Sequence, residues 1–482
     1  MLKRIVNSSI ASSWFNTAVT TLSAIIAIPI VITKLSVEEV NVWFLIGTIT
    51  AISQGLINGF SITFMRFIAY AYSGVRLEEF KNIKAKHDER YSTNIDQEEL
   101  KSILQLMRVL YAAIALLFLI ILYLVGDLIL SKPISEINGN HAEAWTAWYV
   151  VLGVSSLNLY LSYFRVFLMG VNQVALIEKT SGFINLIGLF IILLVLFFFP
   201  SLLSIVAVYQ LITLAILLAL CSMAIKNIRV LGIKLKGLGF DKNVFSLVWE
   251  SAWKSTITTI SANFVAHVSG ILVAQYFKPA QSASFLFTKR IFIIIERFTQ
   301  TTFQARLPLI AKYRGRGEYE KLIPFLKQTQ RMAFAVFLGF YIMLVWLGNF
   351  ILDFFDTNVE LGSTALLAIF SFSILLRRWS GMNMGVSNQA NYILDYITVP
   401  VGGVVFFMII IFFNDVGVNI YPLAQAISIV AISPIIIAKY YRVIKTNFVS
   451  YEKDVFLPVL ALLSIINIIM FFKDISLCKR RY

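Results

Sequence analysis

Apolar segments of similar length recur along the whole chain, and shorter polar stretches separate them. A helix needs about 20 apolar residues to cross the hydrocarbon core of a membrane. A window of that length finds twelve such segments and a weaker thirteenth, near residues 13–33, 41–65, 105–130, 146–169, 180–199, 202–223, 256–277, 282–305, 332–352, 364–385, 391–413, 419–438 and 455–472. The pattern therefore predicts an all-α polytopic membrane protein.

Composition and charge agree with this class and set an orientation. Of the 482 residues, 59% are hydrophobic and only 14% are charged, far from the average of soluble domains. Most Lys and Arg residues lie in four polar stretches, 66–104, 224–254, 305–331 and 439–453. This bias predicts that these stretches and the N-terminus are cytoplasmic. The net charge of +15 then reflects topology and attraction to anionic membrane lipids, and no nucleic-acid partner is expected.

Two short sequence echoes indicate an internal repeat. MGVNQ at 169–173 follows the fourth segment, and MGVSNQ at 384–389 follows the tenth. Ile68 after the second segment matches Ile310 after the eighth. Segments one to six and seven to twelve are therefore predicted to be two copies with the same orientation, an arrangement typical of transporters.

The predicted fold is two pseudo-symmetric six-helix lobes around a central cavity. The N-terminal lobe covers residues 1–223, a basic cytoplasmic linker covers 224–254, and the C-terminal lobe covers 255–453. Residues 454–482 form an extra hydrophobic segment with a basic tail. If this segment crossed the membrane, Lys473 and the tail would lie outside, against the charge bias. An interfacial or re-entrant position for it therefore stays open.

The eighth segment carries four charged residues where lipid-facing side chains should be apolar. They are Lys289, Arg290, Glu296 and Arg297. A charge near the centre of a membrane helix costs about 2.5–3.5 kcal/mol when it faces lipid, so four cost on the order of 10 kcal/mol. These side chains must therefore face protein or water. The seven-residue spacing of Arg290 and Arg297 places both on one side of the helix, together with Gln304.

Two interpretations of these charges remain open. In the first, the cations line an interior and bind an anionic cargo. In the second, they belong to a buried structural ion-pair network in which Glu296 neutralises one neighbour. The role of Arg377 and Arg378 in the tenth segment is similarly open. They are either cavity cations or partners of the inner loops.

Uncharged polar residues mark two more segments as candidates for cargo contact. On the second segment, Gln54 and Asn58 lie one turn apart and either contact cargo or hydrogen-bond between helices. Gly55 beside them allows another helix to approach closely. On the seventh segment, Asn263 and His267 share a face. His267 is either a proton-coupling group or a hydrogen-bonded core residue.

No motif of a catalytic or metal site occurs in the chain. HExxH, CxxC, GxSxG and Walker sequences are all missing. The sequence therefore predicts a protein that is not an enzyme and has no catalytic residues, no metal and no cofactor. A membrane glycan polymerase or ligase, the main enzyme alternative, would need catalytic groups on a substantial outer loop, and the predicted outer loops are short.

Four stretches resemble polysaccharide flippases. They are IVITKLSVEEVNVWFLIGTI, RFIAYAYSG, FQARLPLIAKYRGRG and MGVSNQANYIL, which follow or end the first, second, eighth and tenth segments. By this resemblance the chain is similar to O-antigen flippases of the Wzx type, in the multidrug/oligosaccharidyl-lipid/polysaccharide exporter superfamily. The similarity covers twelve segments, so the thirteenth departs from the pattern.

The resemblance implies a specific function. Such flippases move undecaprenyl-diphosphate-linked oligosaccharides, such as O-antigen or capsule repeat units, from the inner to the outer leaflet by alternating access between two lobes. It implies a cationic lumen at Lys289, Arg290 and Arg297, with Arg66 and Arg306 near its inner mouth. A diphosphate suits these side chains because Arg binds it bidentately and Lys binds it as a point charge.

The resemblance also implies a location and partners. We expect a multi-pass protein of the bacterial inner membrane with a cytoplasmic N-terminus. The expected partners are the lipid-linked glycan, membrane lipids and other polysaccharide assembly proteins. Coupling to a proton or sodium gradient stays open. A multidrug or organic-ion exporter of the same superfamily is the alternative function.

Overall fold

The computed structural model is almost entirely helical, which confirms the predicted all-α class. It describes residues 9–72, 97–234, 239–304, 306, 310, 313, 318–354, 357–388 and 395–480. No strand occurs in these ranges. The long helices within them are α1 (Ser9–Lys34), α2 (Val37–Tyr72), α3 (Gln97–Ser135), α4 (His141–Gly170), α5 (Val174–Phe198), α6 (Leu202–Val230), α7 (Lys242–Tyr276), α8 (Pro279–Gln304), α9 (Tyr319–Phe354), α10 (Thr364–Asn388), α11 (Asp395–Phe413), α12 (Ile420–Ile444) and α13 (Phe448–Arg480).

Each predicted apolar segment overlaps one of these helices. Within the described ranges, eleven helices are long and apolar enough to cross a membrane, and α13 is among them. The helix α8 is not among them, and its four charged residues explain why. Several helices extend beyond the apolar segments that predicted them. The helix α2 continues to Tyr72, for example, so Arg66 lies inside the helix rather than at its end.

The chain divides into two compact units, Met1–His267 and Val268–Tyr482. The boundary falls within α7, whereas the lobes predicted from the sequence are separated by the linker at 224–254. In the first unit, α4 packs on α2, α3 and α6, and α5 packs on α1 and α6. A buried core that includes Phe64, Tyr111 and Phe167 lies between α2, α3 and α4.

Helix pairs of the first unit recur in the second unit six helices later. The pairs α2–α3, α2–α4, α3–α4, α4–α6 and α5–α6 correspond to α8–α9, α8–α10, α9–α10, α10–α12 and α11–α12. The same internal packing in two units supports the repeat that the short sequence echoes predicted. It also makes α8 the counterpart of α2, so the charged helix and the helix of Gln54 occupy equivalent places in their own units.

The thirteenth segment is an integral part of the second unit. The helix α13 packs on α9 and α10. Three of its polar contacts with α9, in chain order, are Lys327 Nζ with Asp454 Oδ2 (2.6 Å), the Tyr341 hydroxyl with Asn467 Oδ1 (2.5 Å) and Lys473 Nζ with the Trp346 ring (5.2 Å). The residue numbers of the contacting partners increase in the same direction on both helices. The helix α13 therefore runs parallel to α9 along its length and does not turn back as a re-entrant segment would. With the orientation that the charge bias predicts, its basic end lies outside.

We predict that the buried amide of Asn467 stabilises the second unit. Its oxygen accepts a hydrogen bond from the Tyr341 hydroxyl, and its nitrogen donates one to Ser371 Oγ at 3.2 Å. These two bonds join α13 to both α9 and α10. Asn467→Ala leaves these partners unsatisfied, which costs about 1–3 kcal/mol. The thermal unfolding midpoint of the purified protein in detergent should therefore fall.

Ser464→Ala is the matched control, because among the described residues the Ser464 hydroxyl bonds only to the backbone of its own helix, at Leu460. This variant should unfold close to the wild-type temperature. Equal midpoints for the Asn467 and Ser464 variants would contradict the role assigned to Asn467.

Candidate functional site

The charged residues of the eighth segment lie on one continuous helix, as the sequence predicted. The helix α8 has 26 residues and is therefore about 39 Å long, enough to cross a membrane. Its apolar face is fixed by aromatic packing, since the Phe292 ring lies 5.3 Å from Phe370 of α10 and 6.0 Å from Tyr341 of α9. This packing sets which side of α8 faces α9 and α10.

Glu296 forms a three-residue ion cluster with two arginines of α10. Arg378 Nη2 lies 2.6 Å from Glu296 Oε1, and Arg377 Nη2 contacts Glu296 Oε2. All three side chains are mostly buried, with exposed fractions of 12% for Glu296, 22% for Arg377 and 15% for Arg378. The sequence left these arginines open as cavity cations or partners of the inner loops, and the structure pairs both with Glu296 instead. The carboxylate neutralises residues of another helix, not a neighbour on its own helix.

Lys289 is separate from this cluster and from the exposed face. Its side chain is buried, and Nζ donates to the Ser269 hydroxyl at 2.8 Å. The preceding Thr288 is also buried, and its hydroxyl accepts from the Gly362 backbone amide at 2.8 Å. Lys289 was predicted to bind cargo with the arginines, but in this conformation it is packed against other side chains of its own unit.

Arg297 lies on the exposed face of α8. Arg297, Gln300 and Gln304 are exposed, and Arg290 is half-buried one heptad earlier. No ion pair or hydrogen bond involves the Arg297 guanidinium in the part of the chain that the structure describes. Arg290, Arg297 and Gln304 thus lie on one helix, as predicted. The last two of these side chains are exposed.

The charges of α8 and α10 do not balance. The two helices contain five cations and one carboxylate, namely Lys289, Arg290, Arg297, Arg377, Arg378 and Glu296. Five positive charges minus one negative charge leave a surplus of four on two packed, membrane-length helices. Because Glu296 is held by two arginines, this face presents its positive charge without an available carboxylate on either helix.

The predicted polar sites of the first unit are only partly described. A Cβ atom on Gly55 would lie 2.6 Å from the Asn263 side chain, so α2 and α7 approach closely at this glycine, as predicted. Asn263 Nδ2 donates to the Thr259 backbone at 2.8 Å, and His267 is half-buried. The helical backbone includes Gln54 and Asn58, but their side chains lie outside the described part of the chain.

The two arginines predicted at the inner mouth lie in different units. Arg66 is half-buried within α2. Arg306 follows α8 and is held against α9, because its guanidinium lies 3.4 Å from the Thr329 hydroxyl and 5.7 Å from the Phe325 ring. Among the described residues, no group of three His, Cys, Asp or Glu side chains is placed to hold a metal ion.

Three solved structures have the same architecture over nearly the whole chain. A multidrug resistance MATE family transporter of the MOP superfamily, facing inward, matches with a TM-score of 0.67 and 12% identity, over 89% of this chain and 96% of that one. The lipid II flippase MurJ, in an inward closed conformation, matches with a TM-score of 0.63 and 13% identity, over 96% and 92%. This chain has the fold of the MATE protein and of MurJ.

A MOP superfamily transporter from Pyrococcus furiosus Vc1 matches similarly, with a TM-score of 0.60 and 14% identity over 92% of this chain and 96% of that one. No protein-family model matches the chain, and no curated protein does. The same fold thus occurs in a protein described as a multidrug resistance transporter and in one described as a lipid II flippase. The fold alone therefore does not identify a function, and the charges of α8 and α10 are the features that argue for one.

We predict that Glu296 supports folding whereas Arg297 does not. Glu296→Ala leaves two mostly buried arginines without their carboxylate, and breaking a buried ion pair in this way costs about 3–5 kcal/mol. The amount of folded protein and its thermal midpoint in detergent should fall. Arg297→Ala, at the next position of the same helix, is the matched control and should leave both unchanged because its side chain is exposed.

The double variant Glu296→Ala/Arg378→Ala tests the same pairing. Because one unpaired charge is then removed, it should be more stable than Glu296→Ala alone. A double variant that is less stable than the single one, or an Arg297→Ala protein as unstable as Glu296→Ala, would contradict this division of roles.

Proposed function

We propose that the chain is a MOP-fold transporter that moves an undecaprenyl-diphosphate-linked oligosaccharide, such as an O-antigen or capsule repeat unit, from the inner to the outer leaflet. The observation that carries this proposal is the surplus of positive charge on α8 and α10, with Arg297 exposed. The expected setting is a bacterial inner membrane with a cytoplasmic N-terminus. Membrane lipids and other polysaccharide assembly proteins are the expected partners.

The charge surplus favours an anionic cargo over a cationic one. A free carboxylate is a strong partner for an organic cation in a membrane protein, because it supplies the opposite charge at low dielectric. On α8 and α10 the sole carboxylate, Glu296, is already held by Arg377 and Arg378. A cationic drug approaching this face would meet like charges at low dielectric, where repulsion is strong.

A diphosphate fits the exposed side chain chemically. The planar guanidinium of Arg297 donates two parallel hydrogen bonds to phosphate oxygens, and Gln300 and Gln304 on the same exposed face can hydrogen-bond sugar hydroxyls. The lipid tail of such a cargo can stay in the bilayer while its polar part follows the polar face of α8. The half-buried Arg290, one heptad away, adds positive charge along the same path.

The similarity to solved structures is compatible with both a flippase and an exporter. MurJ is described as a lipid II flippase, and the MATE protein as a multidrug resistance transporter. Multidrug or organic-ion export is therefore the alternative function. A glycan polymerase or ligase is less favoured, because the structures that share this fold are described as transporters or a flippase.

We predict that Arg297 contributes directly to cargo translocation. The purified protein is reconstituted in vesicles with a fluorescent undecaprenyl-diphosphate-linked oligosaccharide, and a quencher that does not cross the bilayer reports the leaflet. A charge-assisted hydrogen bond is worth about 1.5–3 kcal/mol, so Arg297→Ala should slow translocation roughly ten- to hundredfold. Arg297→Lys should keep part of the rate, because charge survives but the planar fork does not.

Gln300→Ala is the matched control, since it shortens an exposed, uncharged side chain one turn away on the same face. Its effect should be smaller than that of Arg297→Ala. Translocation at the wild-type rate by a well-folded Arg297→Ala protein would rule out the binding role. Export of organic cations by the wild type, without movement of the lipid-linked glycan, would favour the alternative function.

A further inference from the structure

A second polar centre lies in the same unit, on α13, a helix for which the sequence indicated no functional residue. Glu452 is buried, with an exposed fraction of 3%. Its Oε1 accepts a hydrogen bond from Trp379 Nε1 of α10 at 2.8 Å and another from the Tyr441 hydroxyl of α12. Glu452 thus joins three helices through one carboxyl oxygen.

The groups around Glu452 form a buried and uncharged network. Gln330 of α9 donates to Asn383 of α10 at 3.0 Å and accepts from the Tyr451 hydroxyl at 2.9 Å. The Tyr440 hydroxyl donates to that of Tyr451 at 3.1 Å. This network adjoins the groups that bind Glu452, because the Tyr440 ring lies 4.8 Å from the ring of Tyr441.

The charged residues on the same helices have other partners or are exposed. On α9, Lys327 pairs with Asp454 at 2.6 Å, and Arg331 Nε donates to the Asp454 backbone oxygen at 2.9 Å. On α10, Arg378 is bound to Glu296. Lys453 follows Glu452 directly and is exposed.

On and after α12, the nearby cations also point elsewhere. Arg442 is exposed, and Lys445 Nζ lies 4.6 Å from the Tyr319 ring. The second carboxyl oxygen of Glu452, Oε2, is buried and makes no hydrogen bond within the described part of the chain, although the Phe456 backbone amide one turn along faces the carboxyl. No cation forms an ion pair with Glu452 among the described residues.

A buried carboxylate in this setting needs a positive partner. An uncompensated charge in a protein interior is costly, and the usual remedy is a bound cation or a proton. A metal cation prefers several oxygen ligands, and among the described residues no other His, Cys, Asp or Glu side chains join Glu452 in a group of three placed to hold one. A proton needs only the free oxygen Oε2. We infer that Glu452 is a proton-binding site that couples cargo movement to protons, an inference that rests on the transport function proposed above.

The position of Glu452 suits both proton exchange and coupling. Its neighbours Lys453 and Asp454 are exposed, so the buried carboxyl lies next to the protein surface at the end of α13. Trp379, which binds Glu452, directly follows Arg378, which binds Glu296. The helix α10 therefore connects the proton site to the ion cluster of α8 through two consecutive residues, which is the route we infer for the coupling.

The first experiment measures the pH dependence of stability in the full-length protein without cargo. Unfolding of the purified wild type in detergent is compared with that of Glu452→Gln between about pH 5 and pH 8, above the ordinary range of an exposed glutamate. If the folded protein holds a proton that the unfolded chain releases, the wild-type unfolding constant rises by up to tenfold per pH unit. Glu452→Gln lacks this slope, because its amide mimics the protonated acid without titrating.

Glu360→Gln is the matched control, because Glu360 is an exposed glutamate outside the helices. It should keep the wild-type slope. The same pH slope in wild type and Glu452→Gln would overturn the proton site. If Glu452→Gln fails to fold, Glu452→Asp provides the test, since it keeps a titrating carboxyl and should keep the slope; an unchanged midpoint across the pH range in that variant would also overturn the inference.

The second experiment separates the proton site from the proposed cargo. In vesicles with a proton gradient, the wild type should move the fluorescent lipid-linked oligosaccharide severalfold faster than without one, and Glu452→Gln should not respond to the gradient. A gradient response in Glu452→Gln equal to that of the wild type would contradict coupling at this residue. If the wild type moves no glycan in any condition but the pH slope depends on Glu452, the proposed function fails and the proton site stands.

Discussion

Hydrocarbon does not solvate charge, and this constraint organises the second unit. The helix α8 is long enough to span a membrane yet carries four charged side chains, which lipid cannot accommodate at acceptable cost. The structure satisfies the constraint by placing Glu296 between Arg377 and Arg378 of α10. Together with the packing of Phe292 on Phe370, that cluster fixes the rotation of α8 against α10. The rotation in turn decides that Lys289 is buried and Arg297 exposed.

Buried polar contacts also define how the remaining helices of that unit are positioned. The hydrophobic effect contributes little to the association of membrane helices, because lipid tails are as apolar as the side chains they would replace. Hydrogen bonds are directional, so Asn467 sets α13 against α9 and α10, and Glu452 sets α13 against α10 and α12. Polar contacts therefore hold the thirteenth helix at two levels, in addition to the apolar packing of residues such as Phe456 on α9 and α10.

The shared packing of the two units shows that the arrangement of helices and the distribution of charge are separate features of this chain. Five helix pairs recur six helices apart, and the same fold is found in solved transporters at 12–14% identity. An architecture preserved at such low identity depends on apolar faces and close helix approaches, such as Gly55 against Asn263. Charge is added to this scaffold locally. In this chain it is concentrated on α8 and α10, and the proposed choice of an anionic cargo follows from that distribution.

The sequence by itself determined the helices, the class and the repeat, because these depend on local hydrophobicity and on echoes that a single chain displays. It placed Arg290 and Arg297 on one side of one helix, since helical periodicity is a property of spacing alone. Only the tertiary structure decided which charges meet. Glu296 and Arg378 are far apart in the chain, and no periodicity shows that α8 packs on α10. Sequence periodicity likewise did not single out Glu452. Its proposed role depends on neighbours from other helices, such as Trp379 of α10 and Tyr441 of α12, that only folding brings together.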